Sequence, residues 1–235
     1  MHNIINLINN IDMNKKSFFS DKQEEFIDYL IEKQQSPGSA MPSISAISSE
    51  LGISTACLRE QMELARNLGL ITTQPRKGIE IQPYSFTPAV IKSLYYAIKT
   101  DQSYFEQFSE LRNHLERSFF IEAARALTAE DLEELAQLTR TAHEKLQGNP
   151  IQLPHEEHRR YHLMIYKGLR NTFLDGLLEA YWDTYELVGL DVYMDLAYHE
   201  SVWKYHETII QNLQIGDFDA AYQLLLDHME LIYQR

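Results

Sequence analysis

One cysteine in 235 residues, Cys57, leaves nothing from which to build a disulfide framework and fits a reducing compartment. No run approaches the length of apolar chain that spans a membrane, about 18 residues or more. The opening MHNIINLINNIDMNKK is a poor secretion signal, because its lysines follow the apolar residues and asparagines interrupt them. A soluble, cytoplasmic protein without a membrane partner is therefore expected. Positive charge is scarce as well: 21 Lys and Arg face 34 Asp and Glu, a formal net charge of -13. That excludes a protein that coats nucleic acid through bulk charge, though not a small neutral reader joined to an acidic domain. The deficit is uneven. Residues 1–85 carry 8 Lys and Arg against 10 Asp and Glu, and residues 86–235 carry 13 against 24.

Glycine and proline are sparse after the first ninety residues. Pro37, Gly38, Pro42, Gly52, Gly69, Pro75, Gly78, Pro83 and Pro88 punctuate the beginning, and long amphipathic segments follow, with breaks at Gly148-Asn149-Pro150 and Gly216-Asp217. With 44% apolar and 23% charged residues the chain can pack a core, and its length suits two domains at about 150 residues each. The fold class expected is mainly α: an N-terminal winged helix-turn-helix followed by an all-helical bundle. Residues 1–19 read as an extension, with Ile4, Ile8 and Ile11 at helical spacing. Residues 20–82 read as the winged helix, 83–103 as linker and connecting helix, and 104–235 as the bundle.

Within the first domain, Ser20 or Asp21 caps a helix to about Gln34 whose Phe26, Ile27, Leu30 and Ile31 face inward. Ser43 caps a helix over Ile44–Leu51, which Gly52 ends in a left-handed conformation. Ser54 caps the next, from Thr55 to Leu68, and Gly69 ends it. The runs Leu70–Thr73 and Gly78–Ile81 flank Gln74-Pro75-Arg76-Lys77 and predict a hairpin with a basic tip. Helix, helix-turn-helix and hairpin in this order describe a winged helix.

Residues 36–82 carry a PG turn, Met41-Pro42-Ser43, Glu50-Leu51-Gly52-Ile53-Ser54, Leu58-Arg59-Glu60, Gly69-Leu70-Ile71, and a glycine after a basic tip. On these marks the segment resembles the winged helix of the GntR family of bacterial transcription regulators. Residues 104–235 resemble the FCD ligand-binding domain of that family's FadR-like branch. They carry Phe108-Ser109-Glu110-Leu111-Arg112 with Leu115-Glu116, Tyr161-His162, Asn171, Tyr205-His206-Glu207, Gly216-Asp217-Phe218-Asp219-Ala220-Ala221 and Asp227-His228-Met229. The resemblance implies a dimer that binds a palindromic operator in double-stranded DNA and acts as a repressor under a small organic-acid effector.

A recognition helix brings a few donors to base edges while phosphate contacts set its position. The DNA-binding positions implied are Ser43, Ser45, Ser54, Thr55, Arg59, Arg76, Lys77 and Gly78. Arg59 stands where the family contacts DNA, with an intrahelical pair to Glu63 as the alternative. Thr55 and Ser45 occupy places where arginine is common in the family, so two usual contacts are missing. Modest affinity or a different operator follows, and a winged helix kept for protein contacts is a further reading.

Nine histidines are many for this length. At period 3.6, His158 and His162 fall on one face with Ile165 and Leu169. His206 falls on a face with His199, Val202, Ile209 and Leu213, and His228 with Ala221, Leu224, Leu225, Leu231 and Ile232. Four inward histidines need neutral, satisfied surroundings together, which one metal ion supplies, and His158 and His162 are spaced to chelate it. FCD domains hold a divalent ion with an aspartate, a histidine four residues on and two later histidines; His162, His206 and His228 match the last three. His158 replaces the aspartate, which shifts preference toward zinc or nickel. His155 and His199 are spare candidates, and His2, His114 and His143 belong to the surface or to ordinary packing.

Phe108, Leu115 and Phe119 share a stripe with Arg112, so its guanidinium points inward and demands an anion. Either Glu116 at i+4 or an effector carboxylate supplies it; the resemblance favours the effector, with Asn171 beside it and Tyr161, Tyr166, Tyr193 and Tyr205 as cavity lining. The competing function is a metal-dependent enzyme built on the same histidines. It lacks an HExxH motif and an evident general base, and leaves the winged helix without a purpose.

Overall fold

Two serines set the helix-turn-helix. The Ser43 hydroxyl accepts the Ala46 N–H at 3.3 Å and starts α2 (Ile44–Leu51), and the Ser54 hydroxyl accepts the Cys57 N–H at 3.1 Å and starts α3 (Thr55–Asn67). Between them Gly52 takes φ 67°, a left-handed conformation that closes α2 and turns the chain. The Ser48 hydroxyl donates to the Ile53 carbonyl at 2.6 Å and fixes the turn from within. The computed structural model describes residues 25–34, 41–75, 77–188 and 195–231, without the side chains of Glu186 and Leu187. The N-terminal extension, the Ser20 and Asp21 caps, the 36–39 turn, Arg76 and Tyr193 lie outside the described residues.

The chain divides into two compact units, Met1–Tyr84 and Ser85–Arg235. In the first, α1 (Glu25–Gln34) packs on α3, and β1 (Ile71–Gln74) pairs antiparallel with β2 (Gly78–Ile81), Ile71 opposite Ile81 and Thr73 opposite Ile79. Phe26, Tyr29, Leu30, Ile47, Leu58, Met62, Ala65, Ile71 and Ile79 form the core. Gln61 is buried within it and its Oε1 accepts the Phe26 N–H at 2.9 Å, so the first turn of α1 is satisfied by a side chain of α3. The inward face of α1 differs from expectation. Ile31 is half exposed, and Tyr29 is buried instead, its hydroxyl donating to Glu50 at 3.0 Å. An aromatic body with a polar tip takes the rim position that a purely apolar stripe assigned to isoleucine.

The second unit is helical: α4 (Thr87–Thr100), α5 (Ser103–Ala126), α6 (Ala129–Leu146), α7 (His155–Tyr166), α8 (Thr172–Val188), α9 (Leu196–Gln214) and α10 (Phe218–Glu230). Each buries one stripe, as α6 does with Leu135, Leu138, Thr139, Ala142 and Leu146. Thr128 and Asp131 form a reciprocal capping box at the start of α6. Phe120, Leu135, Ile165, Leu178, Trp203 and Ile209 are fully buried in the main core. A second cluster joins Leu94 and Ile98 of α4 to Phe105 of α5 and to Tyr181, Trp182 and Tyr185 of α8.

The helix α4 lies against α8 because Gly176 offers no side chain: a Cβ there would meet Phe86 Cβ at 2.7 Å and the Thr87 nitrogen at 2.9 Å. In an open helix, Gly→Ala gains about 1 kcal/mol. Here the clash involves backbone, and overpacking costs about 1–3 kcal/mol. Gly176→Ala is therefore expected to lower the midpoint of chemical unfolding; a raised midpoint would show that α4 is free to move aside.

Candidate metal centre and DNA-reading surface

Three helices deliver four imidazoles to one place in the second unit. His158 and His162 stand one turn apart on α7, His206 comes from α9 and His228 from α10, and one ligand atom of each lies within 4.8 Å of all the others. His162 and His206 are fully buried, His228 nearly so, and His158 half-buried. The Nε2 atoms of His206 and His228 face each other at 3.2 Å. Tetrahedral zinc with bonds of 2.0–2.1 Å holds its ligand nitrogens about 3.3 Å apart, so this spacing fits an ion. His158 Nε2, His162 Nε2, His206 Nδ1 and His228 Nδ1 are buried without a hydrogen-bond partner among the described residues. Burial above all, then the charge of neighbouring groups, holds the four well below the ordinary histidine pKa. The unpartnered Nε2 atoms of His158 and His162 and the facing Nε2 pair of His206 and His228 make a neutral imidazole donor set of the kind a borderline divalent cation takes, and no carboxylate belongs to the set among the described residues.

Aromatic side chains hold these rings. Tyr161 stacks on His206 at 4.1 Å between centroids and donates its hydroxyl to the His206 carbonyl at 3.0 Å. Trp182 lies 4.6 Å from His158 and 4.9 Å from His162, and Trp203 lies 4.9 Å from His206. His199 is buried outside the set of four, His155 is half-buried at the start of α7, and His114 and His143 sit beside Glu110 and Glu207 toward the surface.

Arg112 points inward as its stripe predicts and is nearly buried. Its Nε lies 2.9 Å from Oε1 of the fully buried Glu116, Nη1 donates to Asn113 at 3.1 Å, and Nη2 lies 2.9 Å from His162 Nδ1. Burial is the largest influence on Arg112 and opposes its charge, but Glu116 together with Tyr181 and Tyr166 outweighs it and the pKa of Arg112 rises; burial raises that of Glu116 against the pull of Arg112. Glu116 is thus the anion that Arg112 demands in this structure.

A cavity of about 30 Å³, room for about two waters, adjoins the cluster. Ser109, Arg112, Asn113, His158, His162, His228 and Met229 line it, with an aromatic wall of Tyr181, Trp182, Tyr185 and Tyr198. The lining differs from expectation. Asn171 accepts the Phe173 and Leu174 N–H groups at 3.2 Å each and caps α8, and Tyr161, Tyr166 and Tyr205 are absent from the wall. Asn113, one residue from Arg112, stands where Asn171 was expected. The α8 aromatics were accessible through their own stripe with Leu174 and Leu178, all of them buried.

In the first unit, Ser43, Ser45, Ser54, Thr55, Arg59, Lys77 and Gly78 are all exposed. The Ser43 and Ser45 hydroxyls lie 3.0 Å apart, and Gly78 takes φ 83° where β2 begins. No ion pair ties down Arg59 among the described residues, since Glu63 turns to Arg66 and Asn67 instead. On α3, Thr55, Ala56, Arg59, Glu60 and Glu63 present one exposed, mostly polar surface.

A helix-turn-helix unit followed by a helical unit with a buried imidazole cluster is the architecture of a two-part transcription regulator. Residues 107–231, more than half of the chain, match the FCD domain, and the chain belongs to the FCD-domain family, with which the FadR-like branch of the GntR regulators is consistent. Among solved structures it is similar to a GntR protein of Streptococcus agalactiae, with TM-score 0.65 and 18% identity over 90% of this chain and 96% of that one. It is also similar to E. coli McbR/YncC, with TM-score 0.49 and 18% identity over 92% of this chain and 99% of that one. No curated protein matches the sequence. No helix among the described residues is long and apolar enough to cross a membrane.

The depressed imidazole pKa values set the sign of a pH effect. Below about pH 6.5 the unfolded chain takes up protons that the folded, metal-free centre refuses, so folding stability falls as pH falls. The raised pKa of Glu116 offsets part of this, as one group against four. In the presence of a chelator the urea midpoint is expected to be lower at pH 5.5 than at pH 7.5; an unchanged or higher midpoint at pH 5.5 would mean that the imidazoles are solvated.

Proposed function

We propose that this regulator is a repressor that reads a palindromic operator as a homodimer and senses a small carboxylate beside a metal ion in its helical unit. The observation that carries the reading is the juxtaposition of four neutral imidazoles, a buried arginine and a cavity between them. His158, His162, His206 and His228 would hold the ion, zinc or nickel by the softness of an all-imidazole set. Bound there, the ion supplies a Lewis-acid position for a carboxylate oxygen. Arg112 has five N–H donors, of which three face Glu116, Asn113 and His162, leaving two for a ligand. The Trp182 indole N–H on the same wall is buried without a partner among the described residues and adds a donor. The unused donors of Arg112 and Trp182 favour an anion, and the small cavity favours a compact one.

The DNA contacts would come from the N-terminus of α3 with Thr55 and Arg59, from Ser43 and Ser45 at the start of α2, and from Arg76, Lys77 and Gly78 at the wing. Dimerisation is supported by an apolar groove between α4 and α5, lined by Val90, Leu94, Ala97, Tyr104, Phe108 and Leu111, with Tyr104 and Leu111 nearly half exposed. Two copies would each present a winged helix to one half-site. The effector regulates only through a difference in its affinity for the two arrangements of those readers. The enzyme reading is not favoured, because Glu116, the carboxylate touching the imidazole cluster, is engaged with Arg112 and His162 rather than free to act as a base.

Two measurements test this. Purified protein is expected to carry a divalent metal that His162→Ala and His206→Ala both lose; full metal content in both variants would refute the centre. In a mobility-shift titration with the DNA flanking its own gene, Arg59→Ala is expected to weaken the specific complex by about 1–3 kcal/mol. No specific complex at any salt, or wild-type affinity in Arg59→Ala, would sink the assigned reading head.

A further inference from the structure

His162 has two partners that make opposite demands on its ring. Arg112 Nη2 lies 2.9 Å from Nδ1, and Glu116 Oε2 lies 3.3 Å from the same nitrogen. Arginine only donates and a carboxylate only accepts. Where Nδ1 accepts from Arg112, the neutral ring carries its proton on Nε2, and the lone pair needed by an ion is gone. Where Nδ1–H donates to Glu116, the lone pair sits on Nε2. That nitrogen is the buried one without a partner, and so the one available to a metal. The carboxylate is built for this task. Glu116 has no exposed surface, and its two oxygens lie near different neighbours, Oε1 2.9 Å from Arg112 Nε and Oε2 3.3 Å from His162 Nδ1, both within ion-pair distance and neither taken by a hydrogen bond among the described residues. Its backbone is held too, since the Tyr166 hydroxyl donates to the Glu116 carbonyl at 3.1 Å. A ligating histidine whose other nitrogen donates to a fixed carboxylate has its tautomer and ring orientation set by that partner.

We propose that Glu116 is the positioning residue of the centre: by accepting the Nδ1 proton of His162 it fixes the tautomer that can hold a metal ion, and Arg112 is the opposing partner that favours the metal-free tautomer. Choosing the Glu116 partner also ends the hydrogen bond from Arg112 Nη2 and returns that donor to the cavity that Arg112 lines. The proposal rests on the metal reading of the four histidines and adds to it a carboxylate that is not itself a ligand.

Zinc alone is the probe, with its affinity measured on the full chain by competition against a chromophoric chelator. Glu116→Gln keeps the shape and loses the charge, and its zinc affinity is expected to fall 10- to 100-fold. Arg112→Met removes the competing donor at similar length and is expected to bind zinc at least as tightly as wild type. A merely structural pair would weaken zinc binding in both variants, and that outcome overturns the proposal, as does wild-type affinity in Glu116→Gln. Independently of any variant's folding, long-range proton–nitrogen NMR spectra of zinc-loaded wild type report the tautomer. His162, identified by its loss in His162→Gln, is expected to show a protonated Nδ1; an unprotonated Nδ1 overturns the assignment. Wild-type protein that takes up no zinc removes the metal reading and this proposal together, whereas equal affinity in Glu116→Gln removes only the role of Glu116.

Discussion

Polar nitrogen buried away from water must find a partner, and the second unit of this protein is arranged around that requirement. Four imidazoles, a guanidinium and a carboxylate meet inside a helical core where Tyr161, Trp182 and Trp203 exclude solvent. An unsatisfied buried polar group costs about 1–3 kcal/mol, and a buried charge without its counterion costs more. The Arg112–Glu116 pair cancels its own charge. The imidazoles cannot do the same for one another, because each neutral ring has one donor and one lone pair and several of their nitrogens face no acceptor or donor. A cation shared among the rings satisfies the lone pairs at one stroke, and the depressed proton affinity of the rings keeps those lone pairs open to it.

The helices place this chemistry rather than merely enclosing it. One turn of α7 separates His158 from His162, α9 and α10 bring His206 and His228 to face each other, and α5 carries Arg112 and Glu116 one turn apart along the same side. The packing of α4 on α8 through Gly176 orders the aromatic cluster of Tyr181, Trp182 and Tyr185, which is also the wall of the cavity. Under the proposed reading of the cavity, core packing and ligand recognition share side chains. That is a physical route by which a bound anion can bias helix positions in the second unit, because close-packed cores shift between discrete arrangements rather than deform smoothly.

Much of this was legible in the sequence wherever a local rule governs. Ser43 and Ser54 before apolar periodicity, and Gly52 at a left-handed turn, fix the helix-turn-helix through capping chemistry that needs no distant partner. A stripe of period 3.6 brought the four histidines and Arg112 inward because burial on an amphipathic helix follows spacing. Contacts between helices were less legible. Asn171 looked like a cavity residue and instead caps α8, a local role that competes for the same side chain. Glu116 was visible as an i+4 partner of Arg112, but its approach to His162 depends on how α5 meets α7, which spacing along one helix does not encode. Tyr29 and Ile31 exchanged places on α1 because Glu50 on a different helix offers a hydrogen bond to the tyrosine alone.

The negative charge that first stood against nucleic-acid binding belongs mostly to residues 86–235, which leaves a nearly neutral first unit with few arginines and an acidic helical unit. The central claim is that one metal ion is held by imidazoles from three helices. X-ray absorption at the zinc edge of the loaded protein tests it most directly. The account predicts four imidazole nitrogens at about 2.0–2.1 Å with the outer-shell scattering of intact rings. A sulfur ligand from Cys57, or a shell of oxygens with fewer than three imidazoles, would contradict it.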